Sequence, residues 1–108
     1  MSDKEMSRKD IGMLGFEIVA YAGDARSTLL EAIKCARNGE FDKIEGLVES
    51  AQENLNIAHN KQTEMLALDA QGKDLDIGII MIHAQDHLMT TLLLRDIVYD
   101  ICEIYKKR

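Results

Sequence analysis

Four polar residues with chemical potential lie close together in the last third of the chain: His83, Asp86, His87 and Thr90. At 100° per residue they fall within about a third of a turn of one helical face, continuous with Ile79 above and with Leu93 and Ile97 below. A carboxylate on an apolar face is costly to bury unless it is paired or bound to a cation. Three chemistries suit such a group. His83 and His87, four apart, could ligate zinc with Asp86 as a third ligand, as histidine pairs on helices do. Asp86 could bind a hard divalent ion through oxygen, or serve as a polar lock that fixes the register of an assembly. Each histidine could equally be a hydrogen-bonded structural residue.

These residues need a long helix to carry them, and the chain has few places to turn. It has no proline and seven glycines. Asn38-Gly39 and Gln71-Gly72-Lys73-Asp74 are its strongest breaks, each placing a glycine where a helix C-terminus wants a left-handed residue. Between them Phe41, Ile44, Val48, Ala51, Leu55, Ala58, Gln62 and Met65 form a heptad seam interrupted only by Gln62. Leu14, Ile18, Ala22, Ala25, Leu29, Ile33 and Ala36 keep the same rhythm in the first segment. The spacing predicts helices over about 11–38, 41–71 and 76–106 in a single domain spanning 1–108, with about residues 1–10 disordered. Short connections make neighbours antiparallel, so the expected fold is all-α, an up-down-up three-helix bundle.

The third helix is apolar on two sides. One face carries Met81, Leu88, Leu92 and Tyr99, and the other carries Ile79, Leu93, Leu94, Ile97, Ile101 and Ile104. A monomeric bundle buries one such stripe. The second is expected to meet other copies of the chain in a closed ring, with the third helices near the symmetry axis. Copies of Asp86 would converge there, and like charges could not all ionise without a counter-ion such as Mg²⁺.

Composition narrows the class further. Thirteen basic against nineteen acidic residues give a formal charge of −6, which does not suit the wrapping of a phosphate backbone; no nucleic acid is expected as a partner. No apolar run approaches the roughly 18 residues of a membrane span, and the start of the chain holds no export-signal core. A cytoplasmic protein without membrane insertion is expected, with Cys35 and Cys102 as reduced core thiols. His59, with no second ligand type beside it, reads as structural. The Lys106-Lys107-Arg108 end complements the negative end of the last helix dipole.

The run His83-Ala84-Gln85-Asp86-His87-Leu88-Met89-Thr90-Thr91 resembles the lactose/cellobiose class of IIA proteins of the bacterial sugar phosphotransferase system. So does the first helix from Leu14-Gly15-Phe16-Glu17 to Ala25-Arg26-Ser27, and so does Ala58-His59-Asn60-Lys61-Gln62-Thr63. The likeness runs from about residue 11 to 106. It implies a homotrimer with one divalent cation, Mg²⁺ or another, on the three-fold axis, bound by Asp86 of each copy. It implies that His83 accepts a phosphoryl group on Nε2 from phospho-HPr and passes it to a cysteine of a IIB protein or domain, without binding the sugar. Ala84 resembles cellobiose/chitobiose-type members, whereas the first helix resembles the lactose branch.

An imidazole is largely neutral at cytoplasmic pH and can attack phosphorus. The resulting N–P bond keeps a high transfer potential, so positioning dominates what the protein must do. His87 and Gln85 are candidates to orient His83 or to touch phosphoryl oxygens; Gln85 points away on the wheel, which favours His87. Two other classes compete with the relay. One is a histidine-phosphotransfer signalling domain, whose histidine is usually followed by Lys-Gly rather than Gln85-Asp86-His87. The other is a helical scaffold in which His83, Asp86 and His87 hold a purely structural metal.

Overall fold

The computed structural model describes residues 7–108. Ser7 caps the first helix: its hydroxyl accepts from the Asp10 N–H at 3.2 Å, and the Asp10 carboxylate accepts from the Ser7 N–H at 3.4 Å. This reciprocal box satisfies two N–H groups that a helix start leaves without partners. Helix α1 therefore spans Arg8–Arg37 and begins earlier than the expected residue 11. Of the stretch expected to be disordered, Ser7 to Asp10 is ordered as the cap and first turn, and 1–6 lies outside the described residues.

Both predicted breaks are helix C-termini closed by a left-handed glycine, Gly39 at φ 78° and Gly72 at φ 82°. After α1, the Glu40 N–H reaches Cys35 O at 2.8 Å and the Gly39 N–H reaches Ala36 O at 3.1 Å; Lys73 to Leu68 O and Gly72 to Asp69 O repeat the pattern. This is the Schellman arrangement, which ends a helix while pairing its last carbonyls. A 3₁₀ turn over Phe41–Lys43 precedes α2, Ile44–Ala70. The second helix is thus shorter at its start than the periodicity predicts. Helix α3 spans Ile79–Lys106 and starts three residues later than expected. Asp76 is held by Arg8 at 3.4 Å, and Gly78 is extended as the N-cap, so Asp76–Gly78 belong to the connection.

The helices run up, down and up in an all-α bundle about 61 Å long and 20 Å across. Helix α1 packs along both others, and α2 and α3 touch each other far less. The α2 seam is as the heptads require: Ile44, Val48, Ala51, Leu55, Ala58, Gln62 and Met65 are all buried, with Phe41 half-buried at its head. Opposite them α1 buries mostly small residues, including Gly15, Ala22, Ala25, Ala32 and Ala36, which lets the helices approach closely.

The inward stripe of α3 differs from the expected one. Met81 and Leu88 are buried, but Tyr99 is 52% exposed, and Val98 and Cys102 take its place. The true stripe is Met81, Ala84, Leu88, Thr91, Val98 and Cys102. Bulk misled the wheel: small residues at 84, 91 and 102 face the small residues of α1, while the large Tyr99 lies about a quarter-turn aside. The outer stripe is exposed at Ile79, Leu93, Ile97 and Ile104; Leu94 and Ile101 are half-buried.

Cys35 and Cys102 are buried and unbonded to each other. Burial raises both thiol pKa values above the ordinary range; Glu40 and Glu31 add to the effect at Cys35, and Cys35 adds to it at Cys102. Among the described residues no helix is long and apolar enough to cross a membrane.

Candidate functional site

The site is positioned where α3 enters the bundle. A Cβ on Gly15 would lie 3.1 Å from Ile80 Cγ2 and 3.3 Å from Met81 Cα, so the absence of a side chain lets α1 touch the α3 backbone. That contact fixes the first turn of α3, and His83 follows in the next residues. His83 is exposed on the outer surface of the helix. It lines an apolar groove of about 460 Å³ with Phe16 and Val19 from α1 and Ile79 and Ile80 from α3.

His87 stands one turn further on. Its ring meets that of His83 edge to face, with centroids 4.5 Å apart and planes at 69°. His87 is half-buried, and its Nδ1 is a buried polar atom with no hydrogen-bond partner. A buried nitrogen without an acceptor disfavours a hydrogen there, so in the neutral ring the tautomer with hydrogen on Nε2 is favoured. The backbone of this turn is also engaged by side chains. Thr90 Oγ1 donates to Asp86 O at 2.7 Å, and the buried Thr91 Oγ1 donates to His87 O at 2.7 Å. Thr90 thus spends its hydroxyl on the helix, although it lies on the face predicted for it.

Asp86 is exposed between the apolar residues of the outer stripe. Among the described residues no group of three His, Cys, Asp or Glu side chains within the chain could hold a metal ion. This corrects the zinc reading of His83, Asp86 and His87: the two imidazoles meet edge to face rather than converging with the carboxylate on one point. A metal bound through Asp86 therefore needs ligands from outside its own chain. His59, read as structural, is exposed on α2 and outside the core.

Gln85 is turned to the other flank of α3. Its side-chain carbonyl accepts from Gln62 Nε2 of α2, and its own amide donates to Met81 Sδ at 3.2 Å. Gln62, 8% exposed, also lies 3.8 Å from Met89 Sδ. The interruption in the α2 heptad is thus one half of an amide pair that ties α2 to α3 across their thin seam. Of the two candidates to orient His83, only His87 is beside it. Sequence reasoning missed this pair and the groove wall formed by Phe16, Val19 and Ile80. Gln62 was visible as the one polar residue in the seam, but nothing in the spacing named its partner.

The family model described as PTS system, Lactose/Cellobiose specific IIA subunit, matches residues 13–106. The chain belongs to this family. It is similar to the PTS system lactose-specific EIIA component of Staphylococcus epidermidis, with 58% identity over 94% of this chain and 98% of that protein. Its fold is similar to the crystal structure of the PTS cellobiose-specific enzyme IIA from Bacillus anthracis, with a TM-score of 0.86 and 31% identity over 98% of this chain and 95% of the other. It is also similar to a chain in the solution structure of the IIA(Chitobiose)–HPr complex of the N,N'-diacetylchitobiose branch of the Escherichia coli phosphotransferase system. There the TM-score is 0.75 and the identity 30%, over 90% of this chain and 94% of the other. Within this IIA family the match spans all three helices and includes both the His83 turn and the Gly15 contact that positions it.

Proposed function

We propose that this chain is the cytoplasmic phosphocarrier of a phosphotransferase system for a β-linked disaccharide, of lactose or cellobiose/chitobiose type. Higher identity to the lactose-specific relatives than to the cellobiose and chitobiose structures favours lactose. The observation that carries the reading is the exposed His83 imidazole in a chain of the IIA family, paired with a second ring and flanked by an apolar groove. HPr is the proposed donor, supported by the IIA–HPr complex of a similar chain. His83 Nε2 attacks phosphorus; the new N–P bond forms as the donor's N–P bond breaks, and the donor imidazole leaves with the electron pair. A cysteine thiolate of IIB then attacks the same phosphorus, and His83 recovers its electron pair. His87 is a positioning residue: its edge-to-face contact restricts the His83 ring, and the favoured tautomer keeps an N–H donor one turn from the phosphoryl oxygens.

The assembly proposed is a homotrimer, with the outer stripe of α3 against its copies and one Asp86 from each on the axis. The donor set fits a hard cation, because Asp86 offers carboxylate oxygens on an otherwise apolar stripe and a three-fold assembly would bring three such carboxylates together. Mg²⁺ or another divalent ion, one per trimer, would supply charge neutralisation there and no step of the transfer. Incubation with phosphoenolpyruvate, the general phosphotransferase enzyme and HPr tests the reading by intact mass. One added phosphate, absent in His83→Ala and removed on adding IIB, is expected. No added phosphate would refute it.

A further inference from the structure

The end of the bundle far from His83 carries opposite charges on its two flanks. Along the thin α2–α3 seam, Phe41, Tyr99, Glu45, Glu103 and Lys106 line a groove of about 200 Å³. Glu49 stands beside it: partial burial of the Tyr99 phenol, and then Glu45 and Glu49, raise its pKa above the ordinary range. Tyr99 lies about 140° round α3 from the stripe of Asp86, Leu93 and Ile97, so contacts made by that stripe do not cover it. Among the described residues none of Glu45, Glu49 and Glu103 has an ion-pair partner. Two aromatic rings flanked by free carboxylates suit a guanidinium or ammonium group.

The α1–α3 flank carries the cations. Lys34 and Arg37 follow Leu30 at steps of four and seven, so they continue the α1 face on which Arg26 and Leu30 line a groove with Thr90 and Leu94. Both are exposed, and among the described residues neither has an ion-pair partner.

We propose that in the assembled ring the α2–α3 groove of one copy receives Arg37 and Lys34 of the next, Arg37 against Glu45 and Glu103 and Lys34 against Glu49. The proposal rests on the homotrimer reading and names the flanks that meet away from the axis. A cyclic ring joins unlike flanks, one side of each copy to the other side of its neighbour, with no shift along the axis. Only groups at equal height can then pair. Helices α1 and α3 run parallel, and Gly15 lies against Ile80 and Met81, which sets Lys34 level with Tyr99 and Asp100 and Arg37 level with Cys102 and Glu103. Across the other seam Gln62 donates to Gln85, and Arg95 donates to Gln52 at 3.4 Å. These bonds set Glu49 level with Val98 and Glu45 level with Cys102. The cations and the carboxylates therefore coincide in height. A second copy is favoured over a different basic protein because it brings both the sign and the spacing. The contact lies about 24 Å along α3 from His83, so it holds the rim of the ring and leaves the imidazole uncovered.

The test is charge reversal, read by sedimentation and native mass over a range of protein concentrations at low salt. Glu45→Lys with Glu49→Lys is expected to raise the midpoint concentration for assembly about tenfold or more, because two exposed pairs per interface turn from attraction to repulsion. Lys34→Glu with Arg37→Glu should do the same. The first double variant makes the chain less acidic and the second more so, hence a general effect of net charge would move them in opposite directions. All four changes in one chain restore the pairing with its signs exchanged and should recover most of the loss. The helix dipole, which also favours cations in the last turn of α1, gives no such rescue. In about 0.5 M salt the differences should shrink. A midpoint unmoved by the reversals, or not rescued in the fourfold variant, overturns the proposal while the trimer stands. An unaltered chain that stays monomeric overturns the trimer reading and this proposal with it.

Discussion

A single methyl group at Gly15 is predicted to loosen the joint that aims His83, while the same group at Gly23 tightens the helix. Both glycines lie inside α1 and both would gain helix propensity from alanine, about 0.5–1 kcal/mol. At Gly23 no neighbouring heavy atom lies within 4 Å of the new Cβ, so that gain stands alone. At Gly15 the Cβ would meet Ile80 Cγ2 at 3.1 Å, Met81 Cα at 3.3 Å and Ile80 C at 3.4 Å. Two of these atoms are backbone, so relief requires the start of α3 to move rather than a side chain to rotate. Overpacking of this kind costs about 1–3 kcal/mol. After the propensity gain, Gly15→Ala should be destabilised by about 1–2 kcal/mol, and the two variants should differ by about 2 kcal/mol. A chain of this size shifts its Tm by about 4–8 °C per kcal/mol, so thermal unfolding at one fixed protein concentration separates them clearly. If Gly15→Ala raises Tm as much as Gly23→Ala does, the close approach of α1 to α3 is not what holds the turn before His83.

Three other outcomes follow from particular contacts. Gln62→Leu leaves Gln85 half-buried with an unpaired carbonyl and should cost about 1–3 kcal/mol by denaturant unfolding, whereas Gln62→Leu with Gln85→Leu should regain most of it; equal losses in both would show that the amides do not act as a pair. A divalent-ion chelator should lower the Tm of the unaltered protein and leave that of Asp86→Leu unmoved, and an identical response in both would remove Asp86 from metal binding. Cys35 and Cys102, with pKa values raised by burial, should resist alkylation at about pH 8 until the chain unfolds. The folded state favours the protonated thiols, so stability should be full below the ordinary thiol pKa and fall as pH rises through the raised values. Alkylation of the folded chain at the rate of a free thiol would contradict this.

What could be read from sequence depended on how much side-chain bulk the signal needed. The α2 seam was legible residue for residue, because its heptads alternate large apolar side chains with alanines at fixed spacing. Both turns were legible because only glycine suits the left-handed position. The inner stripe of α3 was not, since Ala84, Thr91 and Cys102 carry little hydrophobic weight yet face the small residues of α1. The start of α1 was written in Ser7 and Asp10, a capping pair three residues apart that the apolar rhythm does not include. For the site, His83, Asp86 and His87 were named by type and spacing, and the edge-to-face contact of the two rings is a consequence of their one-turn separation. The walls supplied by α1 depend on which way two helices rotate against each other, which no local spacing encodes.

The outer stripe of α3 raises a last physical question, which is how a chain can expose Ile79, Leu93, Ile97 and Ile104 without sticking to whatever it meets. Asp86 in their midst supplies an answer. Burying the stripe against an arbitrary apolar surface would strand a carboxylate without a counter-charge, and the several kcal/mol that this costs would offset much of the gain from the neighbouring isoleucines and leucines. The cost disappears only in a geometry that brings a cation or a compensating donor to that one position. Thr90 does not supply it, because its hydroxyl is bound to Asp86 O of its own helix. The carboxylate thus makes association conditional on geometry, much as a single polar residue in a coiled-coil seam fixes register. Replacing it by leucine should accordingly leave the chain able to associate while widening the range of assemblies it forms, a spread that native mass measurement would resolve. A single species of unchanged mass in Asp86→Leu would mean that the apolar residues alone dictate the geometry.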